Sequence, residues 1–170
     1  MKAPIARVLR TLSGRYPLTM LGSWNARRVS PFRTLIGTIL SARSRDEMTD
    51  VIAGRLFRRF PTAAALARAP RREVETILKP IGFYRTKAAY VRETARQVER
   101  LGGRIPRTIE GLMEFPGVGR KVANCVLVYA FGRQAIPVDT HVHRVSNRMG
   151  WVRTKTPEET ERRLTQRIPR

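Results

Sequence analysis

Two residues in the second half of the chain, Lys121 and Asp139, are of types that can do chemistry at a carbon atom. A neutral lysine amine is a nucleophile that forms a Schiff base. A carboxylate stabilises positive charge that develops beside it. Each residue also has a plainer interpretation. Lys121 can act only as a phosphate clamp, and Asp139, which precedes Thr140, can act only as a helix N-cap.

The turn before Lys121 has the composition of an anion-binding loop. Residues 115–120 read Phe-Pro-Gly-Val-Gly-Arg, between two apolar stretches. Two glycines two positions apart allow positive φ angles and let a partner approach the backbone closely. Such a turn presents N–H groups at a helix N-terminus, where a phosphate binds, and Val118 can anchor it between the two helices. The candidate phosphate contacts are Pro116, Gly117, Val118, Gly119 and Arg120. The alternative is a plain αα-hairpin.

Several motifs in one order resemble the endonuclease III branch of the helix-hairpin-helix DNA glycosylases. They are the hairpin ending at Lys121, the Val-Asp-Thr-His of residues 138–141, and the segments 40–46 and 81–88. The similarity extends from about Ser30 to Trp151. It implies a bifunctional DNA glycosylase and abasic-site (AP) lyase of base excision repair, whose partner is double-stranded DNA with a damaged base or an abasic site.

The resemblance also implies the roles of the two candidate catalytic residues. Lys121 attacks C1′ of the deoxyribose, and the resulting Schiff base permits β-elimination of the 3′ phosphate. Asp139 stabilises the cationic sugar or helps to activate the nucleophile. The expected substrates are oxidised pyrimidines in duplex DNA. Two alternatives stay open, namely a non-catalytic helix-hairpin-helix DNA-binding module and a glycosylase for mismatched or 8-oxoguanine bases.

Two further residues are expected to open the duplex, because a target base must leave the stack. By resemblance, Arg43 fills the gap that the base leaves, and Phe83 wedges the opposite strand. The family often has glutamine and leucine at these positions. The alternatives are a solvated charge at Arg43 and a core aromatic at Phe83 beside Tyr84.

The charge of the chain favours a nucleic-acid partner. Lys and Arg total 34 against 13 Asp and Glu, which gives a net charge of +21. An excess of this size indicates a polyanionic partner. No apolar run long enough to span a membrane and no secretory signal is present. We therefore expect a cytoplasmic, nucleoid-associated protein that has no membrane partner and no small-molecule substrate.

The single cysteine, Cys125, limits the cofactors that this sequence can bind. It excludes an internal disulfide, a cysteine zinc site and a self-contained iron–sulfur cluster. The resemblance implies a C-terminal segment with four cysteines that hold a [4Fe-4S] cluster, and those ligands are absent from this sequence. His141 and His143 would point to different sides of a helix and cannot share a metal. We expect no metal, and we expect Cys125 to be a buried apolar residue.

The elements that position these residues are predicted to be about ten helices, so the fold class is all-α. The resemblance implies a six-helix barrel with the helix-hairpin-helix over residues 25–132. It also implies a second helical lobe, incomplete at its C-terminus, from residues 1–24 and 133–170. The predicted N-caps are Ser30, Asp46, Thr62, Thr108, Asp139 and Thr156, and the last helix is predicted to stop at Pro169. The apolar residues predicted to be uncovered on the second lobe are Val142, Val145, Met149, Trp151 and Leu164.

Overall fold

The computed structural model describes residues 4–16 and 18–168 of the 170-residue chain. These residues are helical and contain no β-strand, which confirms the predicted fold class. Their eleven helices are α1 (Ile5–Arg15), α2 (Met20–Ala26), α3 (Pro31–Ser41), α4 (Asp46–Arg59), α5 (Ala63–Arg68), α6 (Arg71–Leu78), α7 (Tyr84–Arg100), α8 (Ile109–Met113), α9 (Arg120–Phe131), α10 (Thr140–Arg148) and α11 (Pro157–Thr165). None of these described helices has the length and apolarity needed to cross a bilayer.

Most of the predicted helix starts are confirmed by hydrogen bonds. The side chains of Ser30, Thr62, Thr108 and Thr156 each accept a bond from the backbone N–H three residues further on. Each bond satisfies one of the N–H groups that a helix start leaves without an acceptor. These four helices therefore begin where short-range sequence chemistry dictates. The last helix, α11, ends at Thr165 with Gln166 as its C-cap, earlier than the predicted stop at Pro169, a residue that lies outside the described part of the chain.

The predicted cap at Asp46 is wrong. Arg45 is the N-cap of α4, without a side-chain cap bond, and Asp46 is already the first helical residue. Oδ2 of Asp46 instead accepts a hydrogen bond of 3.1 Å from the backbone N–H of Met20, at the start of α2. A contact from a distant segment has therefore taken the carboxylate that would otherwise cap its own helix.

Two separate apolar clusters hold the helices together. The larger is built around α3, whose residues 34–40 are all buried and which packs against α4, α7 and α9. The smaller consists of Val138, Val152 and Leu164. Lys121 lies on α9 of the larger cluster, whereas Asp139 directly follows Val138 of the smaller one. The two candidate catalytic residues are thus carried by different parts of the core.

The five apolar residues that are predicted to be uncovered differ in their exposure. Val145 is exposed, but Leu164 is 2% exposed, so the prediction for Leu164 is wrong. Leu164 is buried because it packs with Val138 and Val152 in the smaller cluster. The other three predicted residues, Val142, Met149 and Trp151, are half-buried. The division of the chain at residues 25 and 132 stays a prediction.

Candidate active site

The turn between α8 and α9 has the predicted hairpin geometry. Phe115 and Val118 are buried, and the N–H of Val118 donates to the carbonyl oxygen of Phe115 at 3.1 Å. Gly117, between them, has a φ of 78°, and a Cβ at this position would lie 2.5 Å from the ring of Tyr90. Both the backbone conformation and the packing therefore require glycine at this position.

Gly119 differs from the expectation for the second glycine. Its φ of −91° and ψ of 178° are extended, so the predicted positive φ is wrong at this position. A Cβ on Gly119 would meet no heavy atom within 4 Å. Nothing in the described protein therefore requires glycine here. Gly119 is also the N-cap of α9 and makes no side-chain cap, which leaves the first N–H groups of that helix available to an external acceptor.

Lys121 and Asp139 line the same cleft, which has a volume of about 620 Å³. Its walls are the end of α3 and the starts of α9, α10 and α11. Lys121 is exposed, and Asp139 is half-buried. Both residues influence the pKa of the nearby thiol of Cys125. Burial raises the pKa of that thiol, the charge and hydrogen bond of Lys121 lower it, and the charge of Asp139 raises it. Two residues from separate motifs thus meet in one place.

A larger groove of about 810 Å³ lies elsewhere, between the end of α10 and α11. Its lining includes the cations Arg153, Lys155, Arg162 and Arg163 but neither of the two candidate catalytic residues. The smaller cleft therefore remains the candidate active site, because it combines a nucleophile, a carboxylate and an uncapped helix start.

Asp139 is the N-cap of α10, as predicted. Its Oδ1 accepts hydrogen bonds from the N–H groups of His141 and Val142, at 3.0 and 2.9 Å. Both cap bonds end on the same oxygen. Capping and a charged role towards the cleft are therefore compatible in one side chain.

Arg120 has a protein partner that its sequence position did not predict. Its guanidinium donates two hydrogen bonds to the carboxylate of Glu161 on α11, from Nε and Nη2 at 2.9 Å each. Glu161 is 8% exposed. A bidentate pair of this kind fixes the orientation of the guanidinium relative to the carboxylate as well as the distance between them. It joins the start of α9 to α11 beside Lys121, and the predicted DNA contact of Arg120 stays a prediction.

Arg43 and Phe83 lie side by side in this structure. The guanidinium carbon of Arg43 is 5.5 Å from the centre of the Phe83 ring. The ring of Phe83 is exposed, so the alternative of a core aromatic is wrong. Arg43 also lines the cleft that contains Lys121. The two residues taken from separate motifs therefore form one stacked pair near the candidate site.

Cys125 is buried, as the sequence predicts, and His143 makes a hydrogen bond between two helices. Nδ1 of His143 lies 2.7 Å from Oγ1 of Thr160, a hydrogen bond that connects α10 to α11. Cys125 is 4% exposed within α9. In residues 4–16 and 18–168, no group of three or more His, Cys, Asp or Glu side chains is arranged to hold a metal ion.

Sequence reasoning missed two residues that shape the site. Glu161 holds Arg120, and Lys87 is a buried lysine on α7 behind Arg43 and Phe83. Lys87 stands within a segment that carries the family resemblance, but a lysine there has no sequence signal for burial. Glu161 follows Thr160 in a polar stretch that reads as a solvent-exposed helix surface.

Comparison with known proteins gives one consistent family. The profile described as "HhH-GPD superfamily base excision DNA repair protein" matches residues 36–170. Endonuclease III of Thermotoga maritima is 45% identical over 166 residues, which are 97% of this chain and 75% of that protein. Endonuclease III of a Synechocystis species is 42% identical over 142 residues, 82% of this chain and 65% of that protein.

Solved structures give the same result. The structure of a trapped covalent intermediate of endonuclease III with DNA is 39% identical in sequence, with a TM-score of 0.77. The match covers 82% of this chain and 67% of that one. A non-covalent complex of endonuclease III with DNA matches with the same TM-score and identity.

Proposed function

Because the chain belongs to the endonuclease III family of HhH-GPD base excision DNA repair proteins, the DNA glycosylase/AP lyases, we propose that Lys121 and Asp139 are its catalytic residues. The substrate in this proposal is an oxidised pyrimidine in double-stranded DNA, and the product is a nicked abasic site. The observation that carries the proposal is the meeting of Lys121 and Asp139 in one cleft.

The proposed reaction begins with the neutral amine of Lys121. Its Nζ bonds to C1′ of the deoxyribose while the bond from C1′ to the base breaks, and the base leaves with a proton. Positive charge grows on the sugar at this stage, and the carboxylate of Asp139 stabilises it. The same carboxylate can accept the proton that Lys121 must lose before it attacks.

The second stage cuts the strand. The sugar ring opens to give a Schiff base between Lys121 and C1′, which makes the protons on C2′ acidic. Loss of one such proton and of the phosphate at C3′ completes the β-elimination. Hydrolysis of the Schiff base then releases Lys121 in its original form.

The residues of this chain do not fit the iron–sulfur cluster that the family resemblance implies. An ordinary cluster needs four thiolates. The sequence holds one cysteine, which is buried within α9 next to Lys121. The steps proposed for Lys121 and Asp139 involve no net oxidation or reduction.

DNA binding is proposed to use the uncapped start of α9 together with the positive charge of the chain. The N–H groups that follow Gly119 would bind one phosphate, aided by the positive end of the helix. Such contacts position DNA without reading its sequence. For about five neutralised phosphates, log K should fall against log salt with a slope near −4 to −5. A flat response, measured by fluorescence anisotropy, would contradict the charge argument.

Gly119→Ala isolates the hairpin contact. A methyl group there meets nothing in the protein but would stand where a phosphate approaches, so we expect about tenfold weaker binding and a salt slope reduced by about 1. Its loss of thermal stability should be small, since the backbone is extended. Gly117→Ala is the contrasting variant, because it should lower the melting temperature through its clash with Tyr90. Unchanged affinity of Gly119→Ala for DNA would contradict the proposed contact between a phosphate and the start of α9.

The preferred base is tested with a panel of duplexes that each carry one lesion. We expect oxidised pyrimidines such as thymine glycol to be excised faster than 8-oxoguanine or a mismatched thymine. Single-turnover rates at saturating protein measure the preference directly. If 8-oxoguanine or the mismatched thymine were excised fastest, that lesion would be the substrate instead of an oxidised pyrimidine. The proposed roles of Lys121 and Asp139 would be unchanged.

A further inference from the structure

A buried lysine lies behind the loop that carries Arg43. Lys87 on α7 is 5% exposed, and its Nζ donates to the carbonyl oxygen of Leu40 at 2.8 Å and to Oγ of Ser44 at 2.9 Å. A buried ammonium group is costly unless it is hydrogen-bonded, and burial lowers the pKa of Lys87. Leu40 is in the last turn of α3, where carbonyl groups lack partners within the helix.

The two acceptors of Lys87 stand on either side of Arg43. The turn between them is closed by the N–H of Ser44, which donates to the carbonyl oxygen of Ser41 at 3.0 Å. Arg43 has a φ of 54°, in the left-handed region. That conformation costs a residue with a Cβ on the order of 1 kcal/mol, so its surroundings must hold it. The bonds from Lys87 fix both ends of this strained turn.

Phe83 is the N-cap residue of α7, one turn before Lys87. The N–H of Lys87 donates to the carbonyl oxygen of Phe83 at 2.9 Å. Phe83 is likewise left-handed, with a φ of 59°, and the residue is 62% exposed. The guanidinium of Arg43 stacks on the ring of Phe83. The side chain of Lys87 therefore supports the Arg43 turn from beneath, and Arg43 in turn contacts the exposed ring of Phe83.

We propose that Lys87 is a positioning residue that holds Arg43 and Phe83 as one preformed pair for insertion into opened duplex DNA. The inference rests on the proposed function, since it needs Arg43 and Phe83 to enter the duplex when the base leaves. A pair that is ordered before binding loses less conformational entropy when the DNA engages. Without the two side-chain bonds of Lys87, the left-handed turn at Arg43 can relax, and the pair has to form anew at each encounter.

The test separates base extrusion from chemistry. Lys87→Met keeps an unbranched apolar side chain that ends where the ammonium group begins and removes both side-chain bonds, and Ser44→Ala removes one acceptor only. Lys79→Met is the matched control, because Lys79 is an exposed lysine at the end of α6. Each variant is assayed in single turnover on a duplex with thymine glycol and on a duplex with a preformed abasic site, which has no base to extrude.

For Lys87→Met we expect base excision to slow by about tenfold or more, with cleavage at the abasic site within about threefold of wild type. Ser44→Ala should show a smaller loss of the same kind, and Lys79→Met none. Fluorescence of 2-aminopurine placed opposite the lesion reports opening independently of cleavage. It should rise more slowly in Lys87→Met at saturating protein.

Equal effects on the two substrates, or no effect on either, would overturn the positioning role. If Lys87→Met does not fold, Ser44→Ala decides by the same comparison of substrates. A wild-type chain that opens the duplex but cleaves neither substrate would instead overturn the proposed function, because the 2-aminopurine signal would persist without chemistry.

Discussion

Replacing Lys121 with glutamine is expected to abolish strand cleavage at an abasic site, by at least about 10³-fold. The amide has no basic lone pair, so no Schiff base can form and β-elimination loses its electron sink. Binding should change little, because one charge is a small part of the net +21. Denaturing gels measure the cleavage, and fluorescence anisotropy measures the affinity for the same duplex.

Lys155→Gln is the matched control for Lys121→Gln. Lys155 is also exposed, but it lies in the basic groove between α10 and α11 and not in the cleft. Its loss removes the same charge, so both variants should bind DNA alike while only the control cleaves. Cleavage by Lys121→Gln at the wild-type rate would assign the chemistry to another group and leave Lys121 as a phosphate clamp.

Asp139→Asn is expected to slow base excision by about 100-fold or more, and strand cleavage at a preformed abasic site by much less. The reason is that positive charge on the sugar is greatest while the base departs. Asparagine keeps an oxygen that can accept the cap bonds from His141 and Val142, so α10 should stay intact. Single-turnover rates on a lesion duplex and on a duplex with a preformed abasic site measure how much each step is slowed.

Asp139→Ser separates the contribution of Asp139 as the N-cap of α10 from the contribution of its negative charge to the reaction. Serine caps a helix well but carries no carboxylate. We expect this variant to match Asp139→Asn in both activity and melting temperature. If Asp139→Ser were fully active, or if both steps slowed equally in both variants, Asp139 would be a structural cap only.

The parts of the fold that could be predicted from the sequence are those set by neighbouring residues. Ser30 and Thr156 cap their helices because a hydroxyl reaches an N–H three residues away in any sequence context. Val118 is buried because the turn around it is short and closed by its own backbone bond. The family resemblance then supplied the pairing of Lys121 with Asp139, which no local rule contains.

The contacts that sequence reasoning missed join segments far apart in the chain. Asp46 does not cap its own helix because its carboxylate accepts a hydrogen bond from the N–H of Met20. Arg120, whose DNA contact stays a prediction, also pairs with Glu161, 41 residues further along the chain. The prediction of a positive φ at Gly119 is wrong for a different reason. The two glycines look equivalent in the sequence motif, but only Gly117 has a left-handed backbone. Such differences depend on the packing around the turn, which spacing alone does not encode.

Borohydride trapping with the wild-type chain is the most direct test of Lys121 as the nucleophile. The protein is incubated with a thymine glycol duplex in the presence of borohydride, which reduces a Schiff base to a stable amine. Peptide mass mapping then locates the attached sugar. The prediction is a single adduct on the peptide that contains Lys121. DNA binding without any adduct, or an adduct on a different amine, would contradict the proposed role of Lys121 as the nucleophile.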